Sequence, residues 1–190
     1  MAGKGSGRRT VGLRIGVEKK SDFRYLRIIQ ITEKENVTMS AAAMLEKLKE
    51  SVGKEIFLSD WTEITQEQIN QFADCTKDHQ WIHVDVEKAA KGPFGRTIAH
   101  GFLTLSHIPY FSYQVPLKME GALMSINYGL NRVRFLNPVP SGSKIRDRIV
   151  LSAVEEKPGN RLLITQTHTI EIEGQDKPAC VAETLAMVFF

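Results

Sequence analysis

Cysteine is nearly missing from this 190-residue chain: it has two, Cys75 and Cys180. Two isolated thiols make no disulfide framework, and the simpler reading is a reducing, cytoplasmic setting. Long apolar runs are missing too. None approaches the roughly 20 residues of a membrane-spanning helix, so no membrane partner is expected. The opening MAGKGSGRRT lacks the apolar stretch of a secretory signal. Neither G-x-G-x-x-G nor G-x-x-x-x-G-K occurs, so no nucleotide cofactor is expected. Net positive charge is lacking outside the first 38 residues, where 16 Lys/Arg stand against 18 Asp/Glu. The formal net charge is only +3, and residues 1–38 hold nine Lys/Arg against four Asp/Glu. The body is therefore slightly acidic and carries no nucleic-acid footprint.

What is present divides near Met39. Residues 1–38 are rich in Gly, Ser and charge with little to bury, and read as a basic, disordered extension. Within it, Leu26-Arg27-Ile28-Ile29-Gln30-Ile31 could form a short strand, and an Arg-containing, acid-free start also leaves a transit segment open. Residues 39–190 read as a single domain. Ser40 caps a helix over 41–52, with Met44, Leu45 and Leu48 on one face and Gly53 beyond its end. Residues 56–64 read as a strand. Thr65 and Gln68 have capping-box spacing ahead of a helix over 66–77. From Gly101, the residues Phe102, Leu103, Leu105, Ile108 and Phe111 cover most of a helix circumference, which predicts a long buried helix, bent or ended by Pro109. Strand-like runs follow at roughly 122–136, 143–156, 161–173 and 178–190. Turn signals between them favour antiparallel order. The class is α+β.

Four of the five histidines fall within residues 74–111: His79, His83, His100 and His107. An Asp and a His stand five apart (Asp78, His83), and Ala99-His100-Gly101 opens the apolar helix. A carboxylate and an imidazole flanking one water can deprotonate it and return a proton to a neighbouring carbon. A backbone N–H at a helix start is unsatisfied within the helix and sits at the positive end of its dipole, so it can polarise a carbonyl. Gly101 suits that task because it has no Cβ to hold a substrate away. Each residue has a plainer reading. Asp78 could end a helix, His83 could be a core histidine, and Gly101 could serve close packing. His100 is read as orienting the loop, Trp81 as a core anchor or a substrate contact, and Ser106 as a nearby hydroxyl. His79 and His83 have the i, i+4 spacing of a helical zinc pair, but the helix signal ends before Asp78 and His-Glu-x-x-His is absent, so no metal is expected. Arg132, Arg134, Lys144, Arg146 and Arg148 could dock substrate phosphates or form the solvated face of a sheet.

In order, Asp78-His79-Gln80-Trp81-Ile82-His83, His100-Gly101-Phe102-Leu103-Thr104-Leu105 and Asn127-Tyr128-Gly129-Leu130-Asn131-Arg132-Val133-Arg134-Phe135 resemble the MaoC-like family of (R)-specific enoyl-CoA hydratases and acyl dehydratases. Gln80-Trp81-Ile82 looks like its nodulation-protein-N-like branch. A serine that some members place eight residues after the glycine is Pro109 here. The resemblance implies a hot-dog fold, an antiparallel sheet of about five strands wrapped around a long central helix. It implies a hydro-lyase acting on enoyl-CoA or an acyl-carrier thioester, with Asp78, His83 and Gly101 catalytic and His100, Trp81 and Ser106 toward the substrate. It also implies a homodimer. A hot-dog thioesterase and a catalytically silent acyl-thioester binding protein remain alternatives.

Overall fold

The computed structural model describes residues 39–190. The expected basic extension 1–38, with its candidate strand, lies outside the described residues. The elements run α1 (Ala41–Lys49), β1 (Glu55–Leu58), β2 (Thr62–Glu63), α2 (Gln66–Thr76), α3 (Trp81–Val84), α4 (Val86–Ala90), α5 (Gly101–Ser106), α6 (Ile108–Ser112), β3 (Met124–Phe135), β4 (Lys144–Lys157), β5 (Arg161–Ile172) and β6 (Cys180–Phe189).

Local chemistry sets the helix starts. The Ser40 hydroxyl accepts the Ala43 N–H at 3.2 Å. Thr65 and Gln68 close the expected capping box reciprocally ahead of α2. Each device satisfies donors that the first helical turn leaves without partners. Helix α2 ends where Lys77 turns left-handed (φ 65), and Asp78 follows at once.

The sheet order is β1-β4-β5-β6-β3, all antiparallel, with β2 also on β4. The 56–64 segment is thus two short strands rather than one. Strand β3 does not pair with the next strand in sequence; it pairs with β6 and forms an edge. The link from β3 to β4 therefore crosses the sheet, tied midway by the Ile98–Pro140 bridge. Its eight residues, 136–143, can reach about 26 Å, ample for three strand spacings of about 4.8 Å.

Inner-face residues of β4 to β6 meet two sets of helices. Ile145, Ile170, Ile172 and Ala182 pack with Ile69, Leu103, Ile108 and Phe111. Leu151, Leu162, Ile164 and Val188 pack with Met44 and Leu48 of α1. Burying each of these Ile, Leu, Val, Met and Phe side chains stabilises by roughly 1.5–3 kcal/mol.

The long helix from Gly101 is interrupted. Pro109 has no N–H for the Leu105 carbonyl, and the His107 N–H donates three residues back to Thr104 O at 3.3 Å. The result is two short helices meeting at His107. Nor is this stretch buried all round: Leu103, Ile108 and Phe111 are buried, whereas Phe102, Tyr110 and Tyr113 are 68%, 51% and 83% exposed. Among the described residues no helix is long and apolar enough to cross a membrane.

Residues Met39 to Ala41 are already held by the body. Asn160 Oδ1 accepts the Ala41 N–H at 2.9 Å, and a Cβ on Gly121 (φ +80) would stand 2.5 Å from Met39 O. A chain beginning at Met39 is expected to melt at the temperature of the full chain. Gly121→Ala, which forces both a left-handed backbone and that clash, should cost on the order of 1–3 kcal/mol, read as a shift in urea midpoint. An unshifted midpoint for Gly121→Ala, or a large stability loss on truncation, would contradict this account of the amino-terminal packing.

Candidate active site

The segment after α2 folds back so that three of its groups converge. Helix α3 is a single turn, closed by His83 N–H to Gln80 O at 2.9 Å. Gln66, at the start of α2, donates its amide to the His83 carbonyl at 2.8 Å and accepts from Thr97. That clamp ties His83 to the helix before it and to the strand-like segment before α5. His83 is 7% exposed. Its Nδ1 faces the Ile98 carbonyl at 2.7 Å. A carbonyl only accepts, so Nδ1 carries the proton and Nε2 holds the lone pair. Burial holds this imidazole below the ordinary histidine value of 6.5. The nearby His100 acts in the same direction, and the Ile98 hydrogen bond and the Asp78 charge act against it. A neutral, basic Nε2 near neutral pH is what the arrangement supplies.

His100 caps α5 without a side-chain bond to the helix. Its Nε2 donates to the main-chain carbonyl of Asp78 at 2.9 Å, and its ring stacks on His83 with centroids 3.8 Å apart and planes 25° apart. Phe72 of α2 backs the stack at 5.1 Å. His100 thus anchors the loop that carries Asp78. The Asp78 carboxylate is half-exposed; one oxygen accepts the Gln80 N–H at 3.3 Å and the other lies 3.9 Å from His100 Nε2. Gly101 is the first residue of α5, so its N–H has no carbonyl a turn earlier within the helix. A Cβ there would meet the Phe135 ring at 3.0 Å and push it back, so glycine suits the close approach of strand β3 to the helix start. His83, Gly101, Thr104 and Phe135 line one cavity of about 290 Å³.

The structure separates Trp81 and Ser106 from this cluster. Trp81 lies two residues before His83 on α3, about 200° around the helix. It packs on Gly92 and under Lys88, 4.8 Å from its ring. Ser106 donates to Phe102 O at 2.7 Å and lines a second, largely apolar cavity of about 720 Å³ beside α6. His79 bonds Asp74 at 2.8 Å on the surface, away from His83's buried ring. The group that does gather is Asp78, His83 and His100, with one ligand-type atom from each within 4.8 Å. Its two imidazole planes are nearly parallel, so their in-plane lone pairs do not converge on one ion, and His83 Nδ1 is already committed to Ile98. His107 Nδ1 donates to Leu103 O at 2.9 Å and serves the helix. Cys180 is no nucleophile, since burial and then the charge of Asp147 push its thiol up to about 11.

Of the strand cations, Arg146 and Arg148 share Glu171, at 2.6 and 3.0 Å, and Lys144 lies 3.8 Å from Glu173. These three serve cross-strand pairing on the solvated face.

Two partners of the site were not legible beforehand. Ile98 acts through its carbonyl, which leaves no mark on residue identity. Phe135, the last residue of β3, reaches Gly101 from 34 positions along the chain, beyond both short helices. A third feature did leave a signal. Asp147 occupies an inward position of β4, between Ile145 and Ile149, and is fully buried against His168.

Similarity to known proteins follows this geometry. The chain is 51% identical over 138 residues to the 3-hydroxyacyl-thioester dehydratase Z of Mycobacterium tuberculosis H37Rv, covering 73% of this chain and 91% of that protein. It is 44% identical over 140 residues to nodulation protein N of Rhizobium leguminosarum bv. viciae, covering 73% and 87%. Among solved structures, the (R)-hydratase from A. caviae superposes with a TM-score of 0.58 at 24% identity, over 70% of this chain and 95% of that one. The MaoC-like dehydratase from Rhodospirillum rubrum superposes with a TM-score of 0.62 at 22% identity, over 76% and 95%. Both share the hot-dog fold expected from the sequence. The MaoC like domain family matches residues 47–173, a span that holds Asp78, His83, His100, Gly101 and Phe135, and the chain belongs to the MaoC-like dehydratase family.

Proposed function

We propose that this chain is a hydro-lyase that reversibly hydrates a trans-2-enoyl thioester to the (R)-3-hydroxyacyl thioester. The observation that carries this reading is a single-tautomer histidine beside a carboxylate, sharing a cavity with the first N–H of a helix. The thioester oxygen accepts from Gly101 N–H, which draws electron density from C3. Water held between Asp78 and His83 gives a proton to His83 Nε2, and its oxygen bonds to C3. The enolate-like charge on the thioester oxygen is stabilised by the same N–H until C2 takes a proton from the Asp78–His83 pair. Water is added across C2=C3, atoms balance, and no cofactor or metal takes part. The name of the mycobacterial relative, a 3-hydroxyacyl-thioester dehydratase, supports the reaction, and that of the A. caviae neighbour supports the R product. The acyl group is carried as a CoA or carrier-protein thioester. The free thiols Cys75 and Cys180 support a cytoplasmic setting.

The working unit proposed is a homodimer joined along β3. This strand is twelve residues long, forms a sheet edge and exposes Met124, Ile126, Tyr128 and Leu130. Phe102, Tyr110 and Tyr113 of the interrupted helix add to the exposed apolar surface. A long apolar edge invites pairing, and isologous two-fold pairing is the commonest solution.

Incubation with crotonyl-CoA tests the activity. Loss of enoyl absorbance without free thiol is expected; thiol release would indicate the thioesterase alternative, and neither signal the silent binder. Asp78→Asn and His83→Ala should each lower kcat by roughly 10²–10⁴. The double variant should lose far less than the product of the two, because both groups act on one water. Near wild-type kcat in either single variant would remove that residue from the mechanism.

The pH profile follows from the depressed His83 value. The lone pair is needed for hydration, so kcat/KM should fall on the acid side with a midpoint below 6.5. Linkage has the matching sign. His83 contributes stability in full above the unfolded value, and that contribution is lost as pH falls through the lower folded value. An acid limb at or above 6.5 that survives in His83→Ala would assign the titration elsewhere.

Light scattering at micromolar concentration should report twice the chain mass, and replacing Ile126 and Leu130 with Lys should halve it. An active wild-type particle of single-chain mass would end the dimer proposal.

A further inference from the structure

A fully buried carboxylate and a fully buried imidazole stand in one row on the inner face of the sheet. On β4, Asp147 is fully buried between Ile145 and Ile149. Its Oδ2 lies 2.7 Å from Nδ1 of His168 on β5, also fully buried. His168 Nε2 in turn lies 3.1 Å from Thr184 Oγ1 on β6. The Ser59 hydroxyl accepts the Asp147 main-chain N–H at 2.9 Å, while Asp147 Oδ1 finds no partner among the described residues. The row therefore runs from a sealed carboxylate, through a sealed imidazole, to a hydroxyl. Thr184 lines the cavity of about 720 Å³ beside α6, and its cross-strand neighbour Gln166 lines it too. Most of the remaining wall is aliphatic, including Ile108, Leu151 and Ile164.

Stability does not explain this row. Desolvating a carboxylate and an imidazole costs several kcal/mol, and apolar replacements of such groups are often neutral or stabilising. An orphaned buried oxygen adds to the cost. What the row does achieve is directional. A carboxylate accepts from Nδ1–H and so fixes the ring, and the ring then fixes the hydroxyl. Whether Nε2 donates to Thr184 or accepts from it, the hydroxyl uses only one of its functions on His168 and keeps another for the cavity.

We infer that Thr184, held by His168 and Asp147, is a specificity-determining residue that binds an oxygen function, hydroxyl or carbonyl, part-way along the acyl chain of the substrate. This rests on the thioester reading of the site above. A wholly aliphatic wall would hold an alkyl chain equally well, but it would leave a chain oxygen without a partner. Ser106, Ser112, Ser125 and Asn127 also line the cavity, but Thr184 is held from behind by the buried carboxylate–imidazole pair, which fixes its hydroxyl at one place.

The test uses the full chain and a set of trans-2-decenoyl-CoA derivatives, each carrying one hydroxyl at a different carbon, compared with the unsubstituted thioester. One position should be favoured in kcat/KM by roughly tenfold, the worth of a good net hydrogen bond. Thr184→Val should bring that ratio close to one, and Thr184→Ser should retain it. A merely structural role for the row would change melting temperature and the rates with both substrates, but not their ratio. No favoured position, or a ratio unchanged in Thr184→Val, overturns the inference while the hydratase reading stands. If no thioester in the set is hydrated, the activity itself fails. Calorimetric binding of the saturated hydroxydecanoyl-CoA series against decanoyl-CoA then decides the inference by the same ratio and the same two variants.

Discussion

The hydrogen bond from His83 Nδ1 to the Ile98 carbonyl is the contact on which the site depends. It joins the end of one short helix to the strand-like lead into another, fifteen residues on. It also determines which ring nitrogen carries the proton, so chemistry and loop geometry are set by one interaction. Gln66 holds the His83 backbone from one side, and the His100 ring is stacked on its face. His100 in turn grips the Asp78 carbonyl. Burial that lowers the basicity of His83 is thus the same burial that makes these contacts rigid, because each bond strengthens where water is excluded.

The sheet imposes a second constraint. Its order sends β3 to the edge, so Phe135 approaches Gly101 from a strand distant in sequence from the helix start. A Cβ at residue 101 would press on that ring. The absence of a side chain therefore lets the helix N-terminus and the edge strand share one cavity. Among the described residues the same edge leaves much of β3 and one side of the broken helix exposed, which the proposed pairing of two copies accommodates. Pro109, in the first turn of α6, lines the larger of the two cavities.

The two polar clusters solve different problems. Asp78, His83 and His100 lie near a mouth, with a half-exposed carboxylate and one buried, neutral base. Asp147, His168 and Thr184 lie on the inner face of the sheet, with the carboxylate and imidazole sealed and Thr184 on a cavity wall. In both, a carbonyl or carboxylate acceptor orders an imidazole, and the imidazole's far side meets the cavity or its wall. Such departures from an apolar interior are expected where a chain does chemistry or selects a ligand, since they cost stability that packing elsewhere must offset.

Residue order alone determined much of this protein. The caps at Ser40 and Thr65 are local, depending on atoms three residues apart, so the sequence predicts them directly. The four long strands follow from period-two alternation and turn residues, and the run from Asp78 to Gly101 marks the site by spacing. Tertiary structure decided the rest. The edge position of β3 depends on which strand pairs β6, and periodicity is blind to pairing partners. The split of the long helix depends on Pro109 within a packed context. The side of α3 on which Trp81 falls depends on a single turn too short to leave a period. The tautomer of His83 depends on a backbone carbonyl, which every residue has and no sequence pattern distinguishes. The aspartate at position 147 breaks the apolar inward alternation of β4, but its partner, His168, became its neighbour only when β4 and β5 paired.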